Sequence, residues 1–402
     1  MVVVTGLGMV CPHGDDPHTV FQRVLGAQSA VHEFTGNRAK PVAVATAPFD
    51  AARWFSRLQL TGVDRVSQLA VAAAQLGMED AQIRGTLDPE RTGVYLGCGM
   101  GGAAAIEAAY LSGARSGRTP PLTIPAFMPN APAAHIAMRF GIQGPVLTYA
   151  IACAASAVAI AEAAKAIESG AIELALAGGS EALIVPGVLQ AWDAMHTLAR
   201  FETGFVASAC RPFARDRSGF ALGEGAAFLV LESAQRAQRR GARVYAEFAG
   251  SGISCDATHL TKPDARGQIR ALNLALRDAG LRPREIGYCN AHGTATTVGD
   301  VVESEALACV WGEDLAHLKV SSTKAVHGHL LGAAGALEAA LTVLALHQRA
   351  LPPNAHCPEQ DPSCAIPLVG PEAVHAPHLA AAISSSFAFG GTNTVLAFRR
   401  ID

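Results

Sequence analysis

Cys153 is the residue of this 402-residue sequence best placed for covalent chemistry. It stands in "YAIACAASAVAIAEAAKAIESG", residues 149 to 170, where a strand-like run passes into an alanine-rich stretch. Only Glu162, Lys165 and Glu168 in that stretch suit water. Free cysteine is among the most buried residue types, so a packed structural thiol is one reading. The other is a nucleophile, because a helix start stabilises a thiolate and lowers the thiol pKa. Three further stretches bear on that choice. His292 lies in "NAHGTATTVGD" (290 to 300), on a Gly/Thr-rich turn after the strand-like "IGYCN". Lys324, His327 and His329 lie in "VSSTKAVHGHLLGAAGALE" (320 to 338), directly before an apolar helix. "SSSFAFGGTN" (384 to 393) is a Ser/Gly-rich turn with two phenylalanines. Any one histidine alone reads as a hydrogen-bonded core or loop residue. The glycine-rich turns match neither GxGxxG nor GxxxxGK[ST], so they are not phosphate cradles.

The elements that must position these groups alternate between strand and helix. A first strand, Val2 to Thr5, ends in the glycine turn "GLGMVCPHG". A helix is predicted over 66 to 81 and a strand over 92 to 99, followed by a loop-rich region with "TPPLTIPAFMPNAP". After the strand–Cys153–helix unit come the buried strand and glycine turn "IELALAGGSEAL", then strand, polar helix and strand over 223 to 252. Residues 146 to 170 resemble residues 318 to 346 in pattern, and "AAFLVLES" has a late counterpart in "NTVLAFRR". Two copies of a βα-rich unit, 1 to 243 and 244 to 402, joined near 240 to 250, are therefore expected. They would place Cys153 and the 324 to 329 segment on equivalent helix starts. No low-complexity linker separates them, which favours one duplicated α/β fold with pseudo-twofold symmetry over two independent domains.

Composition agrees: 50% hydrophobic, 16% charged and 6% aromatic residues with 40 glycines describe elements buried on several sides and packed through Ala and Gly. A net charge of −3 gives no global attraction to nucleic acid or a membrane surface, so an acidic partner would need a local basic patch. Nine cysteines with no CxxC argue against a zinc site or a dithiol couple and for a reducing, cytoplasmic compartment. "MVVVTGLGMV" is strand-like and too short for a membrane leader.

Taken in order, Cys153, "HGTAT", "STKAVHGHLLGAAG" and "FAFGGTN" resemble the β-ketoacyl-acyl-carrier-protein synthases of the thiolase superfamily. The likeness is strongest to the elongating type of fatty-acid and type II polyketide synthesis, and runs from "VVTGLGMVCPHG" through "RPFARDRSGFALGEGAA" to the C-terminal turn. It implies a thiolase-like, duplicated five-layer αβαβα fold and a decarboxylative Claisen condensation through an acyl-Cys153 intermediate. Carried over, the backbone N–H groups of Cys153 and Phe389 form the oxyanion hole. His292 and His329 donate to the thioester oxygen, Lys324 orients the cluster, and Glu338 joins its polar network. Thr294 and Thr296 would bind the phosphopantetheine arm. Met100, Phe127, Met128 and Phe389 would shape the acyl pocket and its gate, with Phe389 packing on Met100 and Phe127 and Met128 reaching a twofold partner. No metal or organic cofactor is implied, since the substrates ride on an acyl carrier protein. The implied partners are that carrier and a second copy, or a ketosynthase-like subunit in a heterodimer; nucleic acid and membrane are not among them.

Departures from the family pattern concern the substrate more than the chemistry. Ile151 precedes Ala152 where threonine is usual, and Ala155 and Ser156 replace Ser-Gly. Thr297 replaces proline, Lys262 a small hydroxyl residue, and Ala388 the glycine before the gating phenylalanine. His327 stands where threonine is common and reads as a solvated turn residue. The loop "FETGFVASAC" (201 to 210) is a few residues longer. A basic landing site for the carrier is expected at Arg57, Arg65, Arg118, Arg200 and Lys262, although usual basic positions are Leu58, Thr61 and Gly62. A thiolase would add a second reactive cysteine near "FAFGGTN", which has none. The remaining alternatives are a chain-length-type partner subunit, which usually lacks the nucleophile, and an acyltransferase without elongation activity.

Overall fold

The computed structural model describes residues 1–36, 40–83 and 87–401. Ten strands build its main sheet: β1 Val2–Val10, β2 Thr92–Gly97, β3 Val146–Tyr149, β4 Leu174–Glu181, β5 Gly225–Ser233, β6 Ala246–Cys255, β7 Tyr288–Asn290, β8 Lys319–Ser321, β9 Ala381–Phe387 and β10 Thr392–Arg399. Their spatial order is β8-β7-β9-β10-β6-β1-β5-β4-β2-β3. Counted outward from the central β6–β1 pair, the first half runs β1-β5-β4-β2-β3 and the second β6-β10-β9-β7-β8. The directions repeat as well: two antiparallel pairings, then two parallel ones, in each half. The same topology twice is the duplication that the sequence pattern suggested.

Two helices occupy the middle. Ala155–Glu168 and Ala334–Gln348 each touch strands of both halves, whereas Arg65–Asp80 packs outside the first half and Ala265–Ala279 outside the second. The layers are therefore helix, sheet, helix, sheet, helix. Small residues let the middle layer close up: a Cβ on Gly335 would meet Ala157 at 2.9 Å. The segment Leu331–Gln348 is apolar and long enough to cross a bilayer, but it is 89% buried as a core element.

Several local expectations change. β1 continues through "GLGMV" instead of turning there. Its glycines serve close helix–strand packing, since a Cβ on Gly8 would lie 2.0 Å from Ala73 O and one on Gly6 2.5 Å from Gly77 O. The proline-rich region predicted as loop holds helices at Thr123–Phe127 and Ala131–Phe140, with Pro132 in the first turn of the second. A further helix, Ala103–Ser116, precedes it. The pseudo-equivalent of Cys153 is not the 324 to 329 segment but Gly332. Ala152–Ala154 and Leu331–Ala333 are matching three-residue 3-10 turns, each opening on a residue at positive φ (Ala152 at 42°, Leu331 at 47°) and each feeding a central helix.

Candidate active site

Both central helices start at one cavity of about 310 Å³, lined among others by Cys153, His292, His329, Thr294, Thr296, Phe387 and Phe389. Each functional side chain comes from the C-terminal end of a strand or the turn after it. Cys153 follows β3, His292 follows β7, Lys324 and His329 follow β8, and Phe389 follows β9.

The sulfur and the imidazoles touch. His329 Nε2 lies 3.1 Å from Cys153 Sγ, and the rings of His292 and His329 meet edge to face with centroids 5.4 Å apart. Leu331 N–H donates to His329 Nδ1 at 3.3 Å, so the proton of the neutral ring sits on Nε2 and points at the sulfur. Burial first, then the positive charge of Lys324, holds both imidazoles well below the usual histidine range and hence neutral. The Cys153, His292 and His329 donor atoms lie within 4.8 Å of one another, close enough for a soft metal ion. The tautomer opposes that use, because His329 presents an N–H, not a lone pair, to the centre. Burial pushes the resting Cys153 thiol up to about 12, against the opposing pull of Lys324. Burial thus favours the neutral thiol in the resting protein.

Lys324 and Glu338 are both fully buried and form an ion pair behind the histidines. Burial raises Glu338 to about 7, with Lys324 pulling the other way. The His292 turn is held by a residue not singled out in the sequence. Glu303, on the helix Gly299–Trp311, accepts the N–H groups of His292 (2.8 Å) and Gly293 (2.7 Å). Its neighbour Asp300 accepts Phe213 N–H at 2.8 Å and lies 3.7 Å from Arg217. The available signal was the acidic run "GDVVESE" one turn beyond "HGTAT". Thr294 and Thr296 face the cavity with their hydroxyls 3.0 Å apart.

The aromatic residues around the site were also underread. Phe220 sits edge-on to His329 at 5.2 Å, Trp192 edge-on to Phe220 at 5.5 Å, and Phe389 tilts over Trp192 at 6.1 Å. The ring contact of Phe389 is thus with Trp192, whereas Met100 does not line this cavity. Met100 and Met128 are instead exposed (47% and 38%), and Gly102 N–H donates to Phe127 O, which joins the two turns that carry these residues. Phe389 N–H has no backbone acceptor among the described residues.

Two expectations are overturned. His327 is not a solvated turn residue: it is fully buried, with Nδ1 2.7 Å from Gly328 O and Nε2 2.9 Å from Thr323 Oγ1. A backbone carbonyl and a threonine hydroxyl use both nitrogens, so it braces the turn between Lys324 and His329. Arg65 is not a free cation, because it forms a two-pronged pair with Glu224 (2.6 and 2.9 Å) and donates to Ala47 O. Arg57, Arg118, Arg200 and Lys262 are exposed, and Lys262 lines the cavity mouth with His259 and Leu260.

A thiol at a helix start, facing two neutral imidazoles inside a duplicated five-layer fold, defines a thiolase-type acyl-transfer enzyme. The chain belongs to the β-ketoacyl synthase family, whose N-terminal domain matches residues 1–237 and whose C-terminal domain matches residues 245–358. It is 39% identical to Nodulation protein E of Rhizobium sp. (strain N33), over 100% of this chain and 99% of that protein. It is 36% identical to 3-oxoacyl-[acyl-carrier-protein] synthase 2 of Staphylococcus aureus (strain COL), over 100% of this chain and 98% of that one. Among solved structures, the ishigamide ketosynthase/chain length factor superposes with a TM-score of 0.93 at 31% identity, covering 100% of this chain and 99% of that one. A type II polyketide acyl-carrier protein in complex with its ketosynthase, AntDE:AntF, gives a TM-score of 0.92 at 29% identity, covering 100% and 99%.

Proposed function

We propose that Cys153 is the acyl-accepting nucleophile of a decarboxylative condensation, and that His292 and His329 act on the second substrate. The observation that carries this is the Nε2–H of His329 aimed at Sγ from 3.1 Å, with His292 beside it. In the first half-reaction Cys153–SH and an acyl thioester exchange partners, giving acyl-Cys153 and the free carrier thiol. The tetrahedral oxyanion forms beside the N–H groups of Cys153 and Phe389. In the second, a malonyl thioester loses CO2 and its enolate carbon attacks the acyl carbonyl. One proton is taken up, and the β-ketoacyl thioester leaves with Cys153–SH restored. Neutral imidazoles suit the decarboxylation, because they donate to the growing enolate oxygen without neutralising it by proton transfer. Burial, and then Lys324 paired with Glu338, keeps them neutral. Thr294 and Thr296 would hold the pantetheine arm, and this chemistry calls on no metal or organic cofactor.

The partners follow from surface and charge. β3 is the outermost strand of the sheet, so one row of its backbone groups is unpaired, and Val146 (36%) and Leu147 (44%) are exposed. Tyr110, Ile124 and Met138 add exposed apolar surface, at 77%, 63% and 69%. A second copy pairing across β3, or a ketosynthase-like subunit in its place, would cover this face together with Met100, Phe127 and Met128. An acyl carrier protein would dock near Lys262 and Arg200 and deliver its arm past Thr294, in the cytoplasm. The test is incubation with an acyl-carrier thioester and malonyl carrier protein, read by product mass. A β-ketoacyl product with CO2 release is expected. An acyl-enzyme that never condenses would show an acyltransferase, and no acyl-enzyme would show a chain-length-type subunit.

A further inference from the structure

Glu181 closes β4 at full burial, and no cation among the described residues pairs with its carboxylate. It accepts backbone N–H groups from two separate turns. Gly99 donates at 2.7 Å and Met100 at 3.3 Å from the turn after β2, and Gly332 donates at 3.0 Å from the turn before the second central helix. The fit is close on both sides, since a Cβ on Gly99 or on Gly332 would lie 2.5 Å from Oε2. The residue before Gly332 is Leu331, a non-glycine residue at φ 47°. Left-handed backbone is unfavourable for leucine and persists only where its surroundings fix it. In this conformation Leu331 N–H reaches His329 Nδ1.

We propose that Glu181 is a positioning residue for His329, holding Leu331 in the conformation whose N–H fixes the Nε2–H tautomer facing Cys153. The chain of contacts is short. The carboxylate anchors Gly332, the anchored peptide keeps Leu331 left-handed, and the Leu331 N–H decides which imidazole nitrogen carries the proton. Loss of the anchor would let Leu331 relax toward ordinary backbone, and His329 would then sample the tautomer that shows a lone pair to the sulfur. The meaning of this for catalysis rests on the role given to His329 above, but the tautomer is measurable without turnover.

The replacements separate the parts of the brace. In Glu181→Gln the amide oxygen belongs at the Oε2 position, where two N–H groups converge. Its NH2, at the Oε1 position, gives up the longer Met100 bond (3.3 Å) and turns toward Cys98 Sγ, which lies 3.8 Å from Oε1. That variant keeps the Gly332 anchor. Glu181→Ala loses it. Adding Leu331→Gly to the alanine variant makes the left-handed conformation easy again, because glycine adopts it freely. The experiment is 15N NMR of histidine-labelled protein, with the His329 signals assigned by their loss in His329→Asn, alongside CO2 release from malonyl carrier protein. The parent and Glu181→Gln are expected to show the single Nε2–H signature, with decarboxylation falling no more than threefold in Glu181→Gln. Glu181→Ala is expected to show mixed tautomers and a tenfold or greater loss, partly restored by Leu331→Gly. An unchanged His329 signature in Glu181→Ala overturns the proposal. So does loss of the signature in Glu181→Gln, which decides the matter if the alanine variant does not fold.

Discussion

At the scale of single residues, the site combines groups whose burial would be costly alone and is tolerable together. Lys324 and Glu338 have no exposed surface, and each compensates the other. Removing one partner of such a pair leaves an uncompensated charge, which costs about 3–5 kcal/mol. Glu338→Ala is therefore expected to lower the unfolding free energy by about that amount in urea melts. A loss below about 1 kcal/mol, the range of surface pairs, would show that the pair is not desolvated as described. Cys153, the histidines and the lysine were legible in the sequence because each stands in a short, distinctive run. Glu181, Glu303, Trp192 and Phe220 were not. Their work is done through backbone N–H groups and ring edges, which follow from the fold and leave no spacing to read. His327 was misread for the same reason: "AVHGH" looks like a polar turn until Thr323 and Gly328 are seen to use both its nitrogens.

At the scale of elements, alternation of strand and helix and the internal repeat were readable, because buried apolar runs and glycine turns mark them. The errors fell where glycine and proline serve purposes other than loops: Gly6 and Gly8 inside β1, and Pro132 at a helix start. The turn after β9, the expected gate, carries its own prediction. Gly390 and Gly391 take positive φ (90° and 78°), whereas Ala388 does not. The turn is pinned by Ala388 N–H to Thr392 O (2.8 Å) and Gly390 N–H to Leu260 O (2.7 Å). Phe389 at rest on Trp192 thus asks nothing unusual of Ala388. A gate state needing positive φ there would be disfavoured by about 1–2 kcal/mol, on the order of tenfold in population. Ala388→Gly is accordingly expected to speed Cys153 acylation by long acyl chains several-fold more than by acetyl. Stopped-flow acylation across a chain-length series measures this, and an equal effect at every length would rule it out.

At the scale of the whole molecule, buried titratable groups tie stability to pH. His292 and His329 are neutral in the fold well below 6.5, so below that pH the unfolded chain binds protons that the native chain does not. Stability from these two groups is therefore full above 6.5 and is lost as pH falls, by about 1.4 kcal/mol per pH unit for each. Glu181, Glu303 and Glu338, raised to about 7, act with the opposite sign between 4.5 and 7, because there the native chain keeps protons that the unfolded chain has released. The carboxyl contributions cancel when a variant is compared with its parent. A His292→Asn/His329→Asn double variant should thus lose up to about 2.7 kcal/mol per pH unit from the slope of stability against pH, between about pH 5 and 6.5. Equal slopes would mean that the imidazoles are protonated in the fold. The unpaired edge of β3 makes a second claim at this scale. Sedimentation should find a dimer, or a monomer that dimerises with a ketosynthase-like subunit, and Leu147→Lys should shift either toward monomer.

The central claim is that the sulfur of Cys153 carries the acyl group, and intact-protein mass spectrometry after incubation with an acyl thioester tests it most directly. The parent protein should gain the mass of one acyl group, located on the peptide containing Cys153 and discharged when malonyl carrier protein is added. Cys153→Ala should fold, since it removes one sulfur from a small-residue site, and should gain nothing. A parent that stays unmodified, or a Cys153→Ala variant that is acylated and condenses, would contradict the account.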